Sequence, residues 1–561
     1  MAETPDFDEA VALLTTEPGS PFEIAIREEG GRPMKVWANL PGSLREVFEG
    51  ARLHGEKTFL VYEGETWTFA ETMARVDEVA DALVNHFGVA PGDRVAIAMR
   101  NHPEWIFSFA AITSIGAIAV CMNAWWSEDE MAYGLEDSGT SVLIADVERI
   151  RTAEPSLARL GVRAMVVRHD GGVPAGVVRM AEVIRSGAAM PEVDVRLDHD
   201  ATILYTSGTT GFPKGAVSTH EAVLSANRAF ACRAMVRAMT QPTGEPYPFE
   251  RCLILAVPLF HVTGLVPVML GAFLGGFKLV MMYKWSPERA LELIERERVT
   301  QFVGVPTMTI DLLESPDFAS RDTSSLAYVG GGGAPAPPEM VTRVDERFER
   351  AQPSLGYGMT ETNAHGPQNA GEDYIRKPRS SGREIPLLEV SCFDADMNRL
   401  GPNEVGEICF RGPNLIRGYW NKPEATTETI VDGWLKSGDI GRIDEEGFVF
   451  VEDRAKDMVL RGGENIYCAE VEAVIYEVEE VHEAAVFGLP HDRLGEEVAC
   501  AVLPRQGRAI DVEALTDHVS RRLAKFKVPT VVEVVEEALP RNASGKILKR
   551  AIRDALIARR G

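Results

Sequence analysis

Between residues 77 and 168 two textures alternate, and this alternation constrains the fold more than any other feature of the chain. Short β-branched runs, RVAIAMR (94–100), AIAVCM (117–122), SVLIAD (141–146) and RAMVVR (163–168), are separated by segments of helical period such as DEVADALVNHF (77–87). Strands alternating with helices predict a parallel sheet with crossover helices. Several of the strands are apolar on both faces, as a sheet covered on both sides requires. One stretch, Trp105 to Met122, is uncharged and near membrane-spanning length. Ser108, Thr113, Ser114 and Gly116 dilute it, so it reads as a buried helix running through Gly116 into a strand.

Later the texture changes. From about 386 to 451 the runs are short and turn-rich, which predicts an antiparallel section resembling a small barrel. After Asp453 comes a compact α+β module: helix (469–478), two strands, helix (512–526), strand (530–535) and a basic terminal helix. The expected division is residues 1–453 and 454–561, with a boundary near 452–456. The fold class is α/β: a large N-terminal domain of parallel-rich sheets with flanking helices, an antiparallel subdomain over about 386–453, and a smaller C-terminal domain.

Charge narrows the function. The 561 residues include 58 Lys and Arg against 84 Asp and Glu, a formal charge of −26. A nucleic-acid surface needs clustered Lys and Arg, so no nucleic-acid partner is expected. A polybasic membrane patch is disfavoured on the same ground. An anionic ligand must meet a local positive site instead. Seven dispersed cysteines without Cys-x-x-Cys spacing suit a reducing cytoplasm better than a zinc or redox site. The acidic N-terminus lacks the basic start and apolar core of a signal peptide.

The chemistry begins at TILYTSGTTGFPKGAV (202–217). A β-rich run enters Thr206, Ser207, Gly208, Thr209, Thr210 and Gly211, then reaches Lys214. Glycines let backbone N–H groups close on phosphate oxygens. The hydroxyls add donors and Lys214 a point charge. The P-loop of NTPases needs Lys followed by Ser or Thr, whereas Gly215 follows here. A P-loop-like kinase or ATPase is therefore the weaker reading from another class.

This loop resembles the signature of the adenylate-forming superfamily, which holds acyl-CoA synthetases, firefly luciferase and peptide-synthetase adenylation domains. Five further motifs follow in that family's order, and the resemblance spans roughly residues 40 to 550. The resemblance implies that His261, in PLFHVTG, borders the substrate carboxylate. It implies that Gly332, Gly333 and Ala334, in GGGGAP, line the adenine and acyl pockets. In GYGMTET it places Gly356, Tyr357 and Gly358 against adenine, Thr360 at the α-phosphate, and Glu361 on Mg²⁺, a hard cation suited to carboxylate oxygen. Asp439, in GWLKSGD, and Arg454 match the ribose contacts. Lys456 matches the hinge about which a mobile C-terminal domain rotates, and Gly462 and Gly463 match the loop lining the coenzyme A channel. Lys546, in PRNASGK, matches the lysine that stabilises charge at the α-phosphate. Leu355 stands where the family commonly has a polar residue, and Cys468 where it often has Pro.

The resemblance thus implies two steps. A carboxylate attacks ATP to give acyl-AMP and pyrophosphate, and coenzyme A then takes the acyl group and releases AMP. Thr206, His261, Glu361 and Lys546 form the expected catalytic set. His261, Val262, Leu265, Val305, Met308, Gly333 and Gly356 form the expected acyl pocket. These are mostly small or apolar, which suits a medium or long fatty acid or an aryl or branched acid better than acetate. An adenylating enzyme with a non-CoA acceptor is the alternative within the family. A homodimer is compatible with this reading. Trp125 and Trp126 are expected to pack in the core.

Overall fold

In the computed structural model the described residues are 4–206, 213–241, 247–334, 336–462, 464–542 and 545–560. They build two eight-stranded sheets and two five-stranded ones, besides a small N-terminal hairpin. The alternating segment forms the centre of the first large sheet. Its strands Arg94–Ala98, Ile118–Cys121, Val142–Ala145, Arg163–Val166 and Asp200–Thr206 run parallel. Arg94–Ala98, Ile118–Cys121 and Val142–Ala145 are buried almost throughout, which explains their unbroken apolar runs. Lys214–Thr219 pairs antiparallel with Asp200–Thr206, which sets Lys214 opposite Thr206.

The second large sheet has a parallel centre formed by Thr58–Tyr62, Lys278–Met281, Cys252–Leu255, Gln301–Gly304, Tyr328–Gly332 and Gln352–Gly356. Antiparallel strands Glu65–Thr68 and Gln368–Ala370 close its two edges. One apolar core joins both sheets. The helix Pro103–Ser114 lies within it, buried at every position from Trp105 to Ser114. The lack of charge from Trp105 onward is thus explained by burial on all sides. No helix among the described residues is long and apolar enough to cross a membrane.

The turn-rich section forms an antiparallel sheet of Glu389–Phe393, Gly406–Arg411, Trp434–Ile443, Ile430–Val431 and Val449–Arg454. The last sheet holds Val459–Arg461, Glu464–Ile466, Val481–His491, Gly495–Pro504 and Val531–Val534, with helices Cys468–Ile475, Val512–Ser520 and Lys549–Arg560 beside it. The helix expected over 512–526 ends at Ser520. Leu523 and Phe526 still reach the core, but through a turn and the short 3₁₀ segment Lys525–Lys527. Pro529 disfavours helical backbone at the residue before it. Cys468 is fully buried, as its small apolar character suggests. Trp125 departs from expectation: it is 49% exposed, while Trp126 packs against the first sheet's outer core.

Candidate active site

Asn101 marks where the two large sheets meet. It lies just past the carboxyl end of Arg94–Ala98 and is buried. Its amide donates to the carbonyls of Val257 (3.0 Å) and Met282 (3.3 Å), beyond the carboxyl ends of two strands of the second sheet. Its Oδ1 accepts from the Leu259 N–H at 2.9 Å, which pins the turn leading to His261. Ligands of open α/β sheets bind outside carboxyl strand ends, and the expected site residues lie at such ends. Thr206 ends one strand and faces Lys214 across the antiparallel pair. Val305 follows Gln301–Gly304, Gly333 follows Tyr328–Gly332, and Tyr357 follows Gln352–Gly356.

Gly330, Gly331 and Gly332 belong to a strand, not to a loop. They are glycines because neighbouring backbones come very close. A Cβ on Gly330 or Gly331 would stand 1.8 Å from the Ser354 or Gly304 carbonyl oxygen, and one on Gly332 would stand 2.4 Å from that of Gly356. Gly333, just beyond, would meet only Val305 at 3.8 Å. Val262, Leu265, Val305 and Met308 are all buried in the core shared by the two large sheets, Val305 beside Gly333 and Met308 beside Gly304. His261 is only part-buried, yet desolvation drives its imidazole down to about 4. It is therefore neutral at neutral pH.

Charged groups gather on the other side. Asp439 is buried near one end of a strand pair in which its register partner is Arg454. Its carboxylate accepts from the Tyr357 hydroxyl at 2.7 Å and lies 3.3 Å from the Arg454 Nε. Burial and the Asp439 charge push the Tyr357 phenol well above its usual range, so it stays a donor. Lys546 shares this neighbourhood: burial, then the positive charge of Arg454, lowers it to about 8, against the pull of Asp439 and Asp457. Lys456 is lowered too, by burial and then by Arg454, while Asp457, Asp439 and Glu361 oppose the shift. Three cations, Arg454, Lys456 and Lys546, thus gather among three carboxylates, Asp439, Asp457 and Glu361, a local concentration of positive charge inside a strongly acidic chain.

Glu361 sits in the short turn Thr360–Thr362, buried, with burial raising its carboxyl group. Two asparagines hold the turn: Asn414 donates to the Thr362 carbonyl (2.9 Å) and Asn363 to that of Asn414 (3.0 Å). The residue that sequence reasoning missed is Tyr419. Its hydroxyl donates to Glu361 Oε1 at 2.7 Å, and its ring centroid lies 5.1 Å from the Lys214 ammonium. Tyr419 gets there because Gly418–Tyr419 pairs with Ala216 and Val217, next to Lys214. No local motif announces such a pairing.

Ser207, Gly208, Thr209, Thr210, Gly211 and Gly463 lie outside the described residues. The strands bring Thr206, Lys214, Glu361 and Tyr419 to one side, and Tyr357, Asp439, Arg454, Lys456 and Lys546 to the other. Glu361 also acts electrostatically on Lys456, and Arg454 on Glu361, so the two groups face one space. Gly358 and Ala334 lie in the adjoining loops. Gly462 sits apart, at the exposed tip of a hairpin, with its N–H bonded to the Leu494 carbonyl at 2.7 Å.

Comparison with known proteins shows the family. Residues 47–420 match the AMP-binding enzyme model, and residues 470–546 match the AMP-binding enzyme C-terminal domain. The chain belongs to the AMP-binding enzyme family. It is 35% identical over 489 residues to the long-chain fatty acid–CoA ligase FadD13 of Mycobacterium tuberculosis, covering 87% of this chain and 92% of that one. It is 37% identical over 505 residues to a feruloyl-CoA synthase of an Amycolatopsis species, covering 90% and 96%. Among solved structures it resembles o-succinylbenzoate-CoA synthetase of Bacillus subtilis bound to its acyl-adenylate. The TM-score is 0.76 at 31% identity, over 92% of this chain and 99% of that one. Its activity is that of an AMP-forming acid–thiol ligase, with ATP and coenzyme A as substrates.

Proposed function

We propose that this ligase activates a carboxylic acid with an apolar body, a medium- or long-chain fatty acid or an aryl or branched one, at the crevice between Lys214, Glu361 and Lys546. The convergence of Lys546, Arg454 and Lys456 around Asp439, opposite Glu361, supports the reading. Phosphoryl chemistry is chiefly positioning and charge neutralisation. Lys214 and the loop from Thr206 to Gly211 hold the terminal phosphates. Asp439 and Arg454 hold the ribose, with Tyr357 against the base and braced on Asp439. Thr360 donates to the α-phosphate. The neutral His261 can donate to the substrate carboxylate and orient it without trapping it as an ion pair. Lys546 takes up charge at the α-phosphate as the carboxylate attacks.

Glu361 fits a magnesium ion carried in with the nucleotide. Mg²⁺ takes one or two carboxylates plus substrate phosphates. Among the described residues no cluster of three His, Cys, Asp or Glu could hold a metal alone. When bound, the ion neutralises phosphate charge. Tyr419 keeps Glu361 oriented for it, and Tyr419→Phe is expected to raise the Mg²⁺ concentration needed for half-maximal adenylation by about tenfold, as loss of such a supporting partner does. A titration of pyrophosphate release against Mg²⁺ reads this; an unchanged midpoint would refute the support role.

For the second step the module from about residue 454 onward rotates about Lys456. Lys546 withdraws and Gly462 and Gly463 come to line the coenzyme A channel. We place the protein in the cytoplasm, where its seven free, buried cysteines would stay reduced. The substrate is read by incubating the protein with Mg-ATP, coenzyme A and acids of graded length and bulk, and identifying thioesters by mass. Preference for acetate over every larger acid would overturn the apolar-pocket reading.

A further inference from the structure

The helix Pro306–Glu314 touches the C-terminal module at both ends. Val305 precedes it, in the expected acyl pocket, and a Cβ on Gly545, beside Lys546, would stand 3.0 Å from the Val305 side chain. Arg541 donates to Thr307 Oγ1 at 3.4 Å and to the Gly545 carbonyl at 2.7 Å. It also pairs with buried Glu483 at 2.7 Å, so the lysine loop is anchored to its own module and to this helix. The far end lies about 12 Å away at the α-helical rise. There Glu314 is the hub of an ion cluster. His482 Nδ1 lies 2.9 Å from its Oε2, Arg505 pairs with its Oε1, and Arg343 of the large domain lies 3.3 Å away. All four side chains are part-buried, so solvent screens them less than free surface pairs.

We infer that this helix is a docking rail, and that Glu314, His482 and Arg505 form a latch holding the C-terminal module in the pose that presents Lys546 to ATP. The inference rests on the two-pose reading above. Rotation about Lys456 must break the Glu314–His482 and Glu314–Arg505 contacts, while Arg343 remains as the large domain's own partner. These are positioning residues: they touch neither nucleotide nor acid. The rail also starts at the pocket wall, so the side chain of Val305 is shared between the acyl site and the lysine loop.

The latch responds to pH in a defined direction. Glu314 raises His482 above its usual value, against desolvation, and Glu483 and Asp311 act the same way. Arg505 and Arg343 share Glu314, and Arg541 acts on Asp311. The charged His482–Glu314 contact is therefore complete below the ordinary histidine range and is lost as pH rises through the raised value. Arg505 keeps the latch partly closed above it.

The test separates the half-reactions. Glu314→Gln should slow acyl-adenylate formation roughly fivefold or more, the low end of a site-to-site coupling. Thioester formation from supplied acyl-adenylate and coenzyme A should be unchanged or faster. An equal fall in both half-reactions, or none in either, overturns the latch. Arg505→Gln should show the same split, which guards against misfolding of any single variant. His482→Gln should flatten the fall in the adenylation-to-thioesterification ratio as pH rises through the raised histidine range, and the same profile taken in a Lys546→Arg background separates this fall from the discharge of Lys546. A profile matching wild type overturns the histidine's part. Failure of the wild-type chain to form acyl-adenylate at all would instead remove the two-step reading itself.

Discussion

Lys546→Ala is expected to slow acyl-adenylate formation by roughly 10²–10³-fold, the cost of deleting one preorganised group that stabilises transition-state charge. Thioester formation from supplied acyl-adenylate should persist near the wild-type rate. The argument is geometric. Lys546 stands on a tight loop: its N–H donates to Asn542 Oδ1 at 2.9 Å, and the Asn542 N–H donates to the Lys546 carbonyl at 2.9 Å. Gly545 holds a left-handed φ of +84° and packs against Val305. The ammonium thus enters the crevice from a fixed base, and alanine removes the charge without disturbing the loop. Pyrophosphate release measures the first step and thioester yield the second. An equal loss in both would sink the assignment.

The same lysine predicts a pH limb. It is lowered to about 8 by burial and by Arg454. Only its charged form can offset phosphate charge, so the charged fraction is full well below pH 8 and falls as pH rises through it. The kcat/KM for adenylation reports groups of the free enzyme and should decline above about pH 8. Lys546→Arg, which stays charged, should move that decline to higher pH even if its absolute rate is lower. A limb at the same pH in both proteins would assign it to another group.

How much was legible follows from what each signal depends on. The parallel strands were legible because burial on both faces writes unbroken apolar runs into Arg94–Ala98 and Val142–Ala145. The uncharged 105–122 stretch resolved correctly because its hydroxyl and glycine residues argued against lipid, and a core shared by two sheets explains it. Asp439, Arg454 and Lys546 carry motif signals, so they could be nominated from sequence. Their convergence could not, because it depends on strand register and on the pose of a separate module. Tyr419 was invisible for the same reason: its contact with Glu361 crosses 58 residues through a two-residue edge strand. Glu314 and His482 are 168 residues apart and belong to no motif. Trp125 misled because size alone suggested burial, whereas it lies 49% exposed.

Gly331→Ala is expected to destabilise the large domain by about 3 kcal/mol or more, at or beyond the upper end for overpacking, and to abolish activity. The run of four glycines reads from sequence as a loop. The structure puts Gly330, Gly331 and Gly332 in a central strand between Gln301–Gly304 and Gln352–Gly356. At Gly331 an added Cβ would meet the Gly304 carbonyl oxygen at 1.8 Å and the Gly304 N at 2.8 Å. Both are backbone atoms, so no side chain can rotate away, and relief requires the two strands to part. Parting them moves Val305 on one side and Gly333 on the other, the two walls of the expected pocket. Denaturant unfolding of the variant should show a lowered midpoint, and pyrophosphate release should vanish. At Gly333, in contrast, the new methyl would meet only Val305 at 3.8 Å, but φ is +85° there, so Gly333→Ala carries backbone strain with little crowding. The penalty at Gly333 should therefore be smaller, about 1–2 kcal/mol. A Gly331→Ala protein as stable as wild type would mean that close backbone approach does not explain the glycines.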